Sequence, residues 1–205
     1  MAKKEAKLEL IVGTMFSGKS TELNRRMGRY RVNHKFQLFN HSIDERYGQD
    51  HVSSHDGFKM PATYVSSAAQ LREKTDPKAT VIGIDEIQFF DSDIVALCDE
   101  YVNSGKIVVA GGLLKDFRDE YFPFRDNNKN MSHLLAVADS IAIYTAICNF
   151  KEKEEEEEEK CGRKASRVQR FIEGKVAPYH SPTVLVGGKE DYAPRCRQHY
   201  QFYKI

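Results

Sequence analysis

Apolar residues in this chain come in short continuous runs. Through the first 147 residues such runs stand at 8–12 (Leu-Glu-Leu-Ile-Val), 36–39 (Phe-Gln-Leu-Phe), 81–84 (Val-Ile-Gly-Ile), 107–110 (Ile-Val-Val-Ala) and 141–147. Runs of this length predict strands buried on both faces of a parallel sheet. Between them the spacing predicts helices near 18–32, 66–75, 92–103 and 132–138, the third opened by Asp91-Ser92 as an N-cap and closed near Gly105. Strand alternating with helix defines an α/β fold with crossover helices on both faces. After Ile147 the pattern changes. Lys151 to Lys160 is a charged low-complexity run that cannot bury apolar surface and predicts a mobile surface loop. Residues 161–205 are short β-prone runs broken by Gly and Pro, with Gly187-Gly188 the clearest turn. The division expected is a main unit over 1–147 and a small lobe over 148–205, too short for a core of its own and in need of a staple.

The totals narrow the function. With 205 residues, 40% of them hydrophobic, the chain can bury one core of ordinary size and a small appendage. Its 31 basic and 30 acidic residues leave a formal charge of +1. No global field draws it to nucleic acid or an anionic membrane. Arg25, Arg26, Arg29 and Arg31 cluster on the first predicted helix, where a solvated charged face accounts for them. Met1 to Lys7 lacks the apolar core of a signal peptide, and no apolar run approaches the roughly 18 residues of a membrane span, so the expectation is a cytoplasmic protein. In that compartment four cysteines read as metal ligands or buried thiols before disulfides. Cys98, inside the third predicted helix, reads as an inert buried thiol.

The chemistry begins directly after the first apolar run. Gly13-Thr14-Met15-Phe16-Ser17-Gly18-Lys19-Ser20 fits Gly-x-x-x-x-Gly-Lys-Ser without a mismatch, with a strand-like run before it and a proline-free helix-like run after it. Such a loop turns backbone N–H groups around phosphates, and the helix adds the positive end of its dipole. Lys19 would reach the β- and γ-phosphates of ATP and Ser20 would bind Mg²⁺. A second element is Val81-Ile82-Gly83-Ile84-Asp85-Glu86, an apolar strand ending in two carboxylates. Beside a phosphate loop Asp85 would hold Mg²⁺, and Glu86 could face the other reactant as general base. The fold class expected is therefore a P-loop NTPase-like parallel sheet with flanking helices and a small C-terminal lobe.

Two segments make a resemblance specific. Met15 to Leu23 together with Ile84-Asp85-Glu86-Ile87-Gln88-Phe89-Phe90 resemble the type II thymidine kinases, which are tetrameric and carry a structural zinc. Supporting pieces are Asp44-Glu45-Arg46-Tyr47, Gly112-Leu113 followed by Asp116-Phe117-Arg118, Gln169-Arg170, Gly187-Gly188 with Tyr192, and Cys196-Arg197-Gln198-His199, so that the likeness runs from about residue 8 to 200. The resemblance implies that Gly13 to Ser20, Asp44, Glu45, Arg46, and Asp85 to Gln88 surround ATP and Mg²⁺, with Glu86 as base. It implies a thymidine pocket of Met15, Phe89, Leu113, Phe117, Phe122 and Tyr192, with Thr183, Val184, Leu185, Val186 and Gly187 clamping the base edge through backbone groups. A flat base needs apolar faces and a few fixed donors, which agrees with that list. It also implies a homotetramer acting on a small nucleoside in salvage, with neither nucleic acid nor membrane as partner.

The chain departs from the family in three places. Val168 stands where a Thr is common near the thymine pocket, and Gly112-Leu113-Leu114-Lys115 replaces a Gly-Leu-Asp segment. Both changes weaken the expected preference for thymidine over deoxyuridine. The zinc ligands depart most. Cys196 and His199 form one half, while Cys148 and Cys161 are separated by twelve residues that include the Glu-rich run. Lengthening a closed loop from two residues to twelve costs about 1.5 kcal/mol of chain entropy, against roughly 10–16 kcal/mol from a structural zinc. A tetrahedral Cys₃His site is therefore expected, the rivals being a site completed by His180 or a lobe without metal. Two competing functions stay open at this point. One is an ATP-gated nucleic-acid module gripping through the zinc lobe. The other is a nucleoside monophosphate kinase using Arg163, Arg167 and Arg170 as a lid.

Overall fold

A computed structural model describes residues 6–43, 51–53, 59–151 and 160–201. The chain runs β1 (Lys7–Gly13), α1 (Lys19–Tyr30), β2 (Phe36–His41), β3 (His51–Ser53), β4 (Lys59–Pro61), β5 (Thr63–Val65), α2 (Ala68–Lys74), β6 (Val81–Ile84), a 3₁₀ turn (Ile87–Phe89), α3 (Asp93–Asn103) and β7 (Ile107–Leu113). It continues through α4 (Met131–Val137), β8 (Ser140–Tyr144), β9 (Ala146–Ile147), β10 (Lys164–Ala165), β11 (Arg167–Ile172), β12 (Lys175–Val176) and β13 (Tyr192–Arg195). Six strands form one sheet in the order β5-β2-β6-β7-β1-β8, and each neighbouring pair is parallel.

Both faces of the sheet are covered, and the pleat sorts the side chains between them. Leu8, Leu10 and Val12 of β1, Phe39 of β2, Ile82 and Ile84 of β6, and Val108 and Ala110 of β7 join α2, α3 and α4 through Leu71, Ile94, Leu97 and Leu134. Ile11, Leu38, Val81, Ile107 and Val109 point the other way and pack on Leu23 and Met27 of α1. Crossover helices on both faces are thus as the apolar pattern predicts. Gly83 faces α1, where an added Cβ would lie 2.7 Å from Leu38 and 2.9 Å from Met27.

Two sequence expectations need correction. Ser92 sits at the N-cap of α3, yet its side chain makes no capping bond. Its hydroxyl donates to Asp126 at 2.6 Å, while the Asp91 carboxylate accepts from the N–H of Ala68 at the start of α2, 3.1 Å away. Both acids therefore serve long-range joints. Arg25, Arg26 and Arg29 within α1 and Arg31 at its C-cap are also not all a solvated face. Arg26, with 19% of its side chain exposed, bridges Glu22 and Glu9 at 2.8 Å each. Arg25 also binds Glu22, and the two guanidiniums hold that carboxyl down at about 2.

All six strands end on the same edge, which places Gly13, Asn40, Asp85 and Leu113 together. The small lobe covers that edge. Strand β9, at the end of the main unit, pairs with β10 of the lobe, and within the lobe β11 lies between β12 and β13. Its buried cluster consists only of Ala146, Cys148, Ala165 and Cys196, with Phe16 of the phosphate loop packed against them. The Thr14 hydroxyl joins loop to lobe, accepting from the N–H of Ala146 at 3.2 Å and donating to the carbonyl of Ala165 at 3.3 Å.

Candidate functional site

The loop from Gly13 to Ser20 turns tightly because its backbone lies where other side chains could not go. A Cβ on Gly13 would sit 2.0 Å from the carbonyl oxygen of Tyr144 at the end of β8. Gly18 takes the left-handed region at φ +83°, and so does Phe16 at φ +62°. Lys19 is buried and donates from Nζ to the carbonyl of Thr14 at 2.7 Å, while Ser17 donates to the same oxygen at 2.8 Å. No side chain caps the first turn of α1. Its leading N–H groups therefore face the loop, where an anion is favoured.

Asp85 reaches this loop from β6 although β7 runs between them in the sheet. A glycine of β7 makes room for Asp85, and the next one makes room for Gln88. A Cβ on Gly111 would come within 3.0 Å of the Asp85 carboxylate, and one on Gly112 within 2.5 Å of Gln88 Oε1. Asp85 is buried, and it accepts hydrogen bonds from Ser20 and, at 3.0 Å, from the N–H of Glu86. Burial first, then the neighbouring Glu86, raises its carboxyl to about 7. An added cation would relieve that cost, and a hydroxyl beside a carboxylate is the oxygen donor set that suits Mg²⁺.

Glu86 adopts φ +52°, a left-handed conformation that costs a non-glycine residue about 1–2 kcal/mol. Gln88 fixes the carboxylate that this turn projects. Fully buried, Gln88 donates to Glu86 at 2.6 Å and accepts from the N–H of Leu113 at 2.9 Å. Ile87 points away into the main core. Ile87 and Gln88 thus stand behind the wall of the site, where the expectation had them in it.

One cavity of about 370 Å³ opens along this edge. Met15, Phe16, Ser17, Gly18, Lys19, Ser20, Asp85 and Glu86 line it from the phosphate side. Phe89, Leu113, Phe117, Phe122, Thr183, Val184, Leu185, Val186, Gly187 and Tyr192 line the remainder, so every residue proposed for the acceptor pocket meets there. Gly13 and Thr14 shape the loop from outside the cavity. Asp44, Glu45 and Arg46 lie outside the described residues. Sequence reasoning missed Thr21, Asn40, Ile43, Lys115, Asp116 and the turn Gly188-Lys189-Glu190, all of which contribute lining atoms. Asn40 had a readable signal, since it follows the second predicted strand at the edge where ligands of open α/β sheets bind. Val168 also lines the cavity, so the absent hydroxyl bears directly on its wall.

Cys148, Cys161, Cys196 and His199 bring four ligand atoms within 4.8 Å of one another. Cys148 Sγ lies 3.7 Å from His199 Nδ1, and Cys161 Sγ lies 3.9 Å from Cys196 Sγ. A tetrahedral Zn²⁺ at its usual bond lengths spaces such atoms by about 3.5–3.8 Å, so the donor set fits zinc. The twelve-residue separation is bridged by a hairpin neck. Cys148 and Phe150 accept from the N–H groups of Gly162 and Cys161 at 3.1 and 2.9 Å, and Lys151 bridges Lys160. Residues 152–159 of the Glu-rich run lie outside the described residues. Arg163 donates to Cys161 Sγ at 3.1 Å and holds that thiol at about 6, while Phe150 stacks on His199 with centroids 4.2 Å apart. His180 stands elsewhere, edge-on against Tyr179. Cys98 is fully buried, which pushes its thiol up to about 12 and makes it inert, as expected.

The arginines proposed as a monophosphate kinase's lid are engaged away from the cavity. Arg163 serves the cysteine cluster, Arg167 pairs with Asp119 at 2.9 Å, and Arg170 bonds the carbonyl of Pro182. None of the three lines the cavity.

A glycine-turned loop between a buried parallel strand and a helix, with a carboxylate reaching it from the next strand but one, defines a P-loop nucleotide-binding protein. The family model for thymidine kinase matches residues 6–200. A thymidine kinase of Mesoplasma florum is 40% identical over 203 residues, covering 96% of this chain and 92% of its own. The chain belongs to the thymidine kinase family and is an enzyme.

Proposed function

We propose that the protein transfers the γ-phosphoryl group of ATP to the 5′-hydroxyl of thymidine, giving thymidine monophosphate and ADP, and that it accepts deoxyuridine as well. The observation that carries this reading is the single cavity joining Lys19, Ser20 and Asp85 to an apolar compartment of Phe89, Leu113, Phe117, Val168 and Tyr192, with Glu86 on its wall. The Mesoplasma florum relative, a thymidine kinase, supports the same acceptor.

In this reading the loop N–H groups and Lys19 hold the phosphates in line with the acceptor. Ser20 and Asp85 would hold Mg²⁺, which when bound would supply positive charge to offset that of the phosphates. Glu86 accepts the proton of the attacking 5′-hydroxyl, its carboxylate kept in place by Gln88. The segment 183–187 covers the base and excludes water, its Leu185 carbonyl tied by the Tyr192 hydroxyl at 2.8 Å. A structural zinc on Cys148, Cys161, Cys196 and His199 staples the lobe that carries this cover. The reading extends to two units divided at 147 and 148, and to a cytoplasmic enzyme of deoxynucleoside salvage. No helix among the described residues is long and apolar enough to cross a membrane. A homotetramer is part of the same proposal, and an apolar sheet edge supports self-association. The outer strand β8 leaves Ile141 and Ile143 44% and 66% exposed.

ADP release measured across thymidine, deoxyuridine, other nucleosides and thymidine monophosphate tests the acceptor. Phosphorylation of the monophosphate in preference to thymidine would overturn the assignment. Glu86→Gln tests the base. It should lower kcat by about 10²–10⁴-fold with ATP affinity kept, whereas a variant retaining most of its turnover removes Glu86 from that role.

A further inference from the structure

Two pieces of the sequence, Asp116-Phe117-Arg118 and Gln169-Arg170, have no part in the phosphate chemistry, yet the fold brings their arginines to one place. Arg118 has only 13% of its side chain exposed and is paired with the buried Asp116. Its guanidinium donates to the carbonyl of Tyr179 at 2.7 Å, to the carbonyl of Ser181, and to the Thr183 hydroxyl at 3.0 Å. Arg170, 3% exposed, donates to the carbonyl of Pro182 from the neighbouring strand β11. Both guanidiniums lie over the Phe117 ring, at 4.4 and 5.1 Å from its centroid. Phe117 and Thr183 line the cavity, and neither arginine does.

The Tyr179 hydroxyl adds a bond to Glu120 at 2.6 Å, but apolar contact holds the segment's far side weakly. Val184, Leu185 and Val186, which follow it, are each at least 40% exposed. Apolar burial therefore cannot fix the cover in place, and hydrogen bonds to charged donors must. We propose that Arg118, assisted by Arg170, is the positioning residue that seats residues 179–183 on Phe117 and so sets the affinity for the nucleoside. The inference rests on the reading of this cavity as the nucleoside pocket. The planar fork of Arg118 reaches four acceptors at once from a side chain immobilised by Asp116. A lysine keeps the charge but cannot reproduce that geometry.

The test measures two things on Arg118→Ala and Arg118→Lys: KM for thymidine and for ATP with kcat, and amide exchange over residues 177–190 without nucleoside. The loss of charge-assisted bonds should raise the thymidine KM about tenfold in both variants. The ATP KM should stay within about twofold and kcat should fall far less than the thymidine KM rises, because Arg118 touches neither ATP nor the reacting atoms. Exchange over 177–190 should quicken by at least the factor by which the thymidine KM rises, because a mostly seated segment must open many times more often before the seated fraction falls. If Arg118→Ala fails to fold, Arg118→Lys carries the test alone. Unchanged exchange, or equal rises in the KM values for thymidine and ATP, overturns the proposal. If the wild type phosphorylates no nucleoside, the proposed function falls, and amide exchange still decides whether Arg118 seats the segment.

Discussion

The sheet and the lobe that covers it are held together by different physics. In the sheet, side chains from β1, β6 and β7 alternate between two helical layers, and Leu10, Ile11, Ile82 and Val108 are fully buried. Among the described residues the lobe buries few large apolar side chains, Val168 and Tyr192, beside small ones such as Cys148, Ala165, Ala177, Ala193 and Cys196, and Phe16 of the phosphate loop packs on it. Its order comes from point attachments: a Cys₃His cluster able to hold a metal, arginines on backbone carbonyls, and the Thr14 hydroxyl between Ala146 and Ala165. Burial is spread over many residues and yields gradually to mutation. Point attachments fail one at a time, and each failure is large. A catalytic cleft between two such parts has one rigid wall and one wall that can be released.

The sharpest way to break this contrast is to remove the metal. Cys148→Ser should abolish stoichiometric zinc by metal analysis. Because structural zinc contributes roughly 10–16 kcal/mol, amide protection over 146–200 should collapse while β1, β6 and β7 stay protected. Uniform loss of protection would show that the lobe is not separately held. A cut in the sheet should be smaller and global. Leu10→Ala should cost about 2–5 kcal/mol and lower a single cooperative melting transition without releasing zinc.

The smallest effect concerns the buried acid between the two parts. The folded state raises Asp85 above its ordinary value, so its contribution to stability is greatest below the unfolded pKa of 3.8 and is lost as pH rises to about 7. At pH 8 and without Mg²⁺, Asp85→Asn should therefore melt several degrees above the wild type, since about 1 kcal/mol moves Tm by about 2–4 °C at this size. The advantage should shrink towards pH 4. The variant should also lose Mg²⁺-dependent turnover. An equal Tm for both proteins at pH 8 would mean that Asp85 is not destabilised by burial.

Legibility in the sequence followed the same division. The apolar runs located five of the six strands of the sheet and the four helices within a few residues. The short β5 escaped because Val65 alone of its three residues is fully buried. Strand β7 runs three residues past the predicted end, since Gly111 and Gly112 carry no hydrophobic signal. The expected strand over 141–147 divides into β8 and β9, because the chain leaves the sheet after Tyr144 to pair with Lys164 and Ala165. In the site, residue types could point to Lys19, Asp85, Glu86 and the cysteines. Nothing local marks Gln88 as the partner that fixes Glu86, or Arg118 as a grip on a segment more than 60 residues away.

The sequence by itself determined the parallel α/β core and the presence of a phosphate loop, because hydrophobic period and glycine placement act over neighbouring residues. It also named a set of thiolates able to take a metal. Tertiary structure decided how the separated pieces meet. Gly111 in β7 lets Asp85 cross to the loop that begins the site, and a hairpin neck closes a twelve-residue gap between two cysteines. Arginines from a turn after β7 and from β11, far apart in the chain, reach the carbonyls of the cover. Those outcomes depend on distances between residues remote in the chain, which local pattern does not encode.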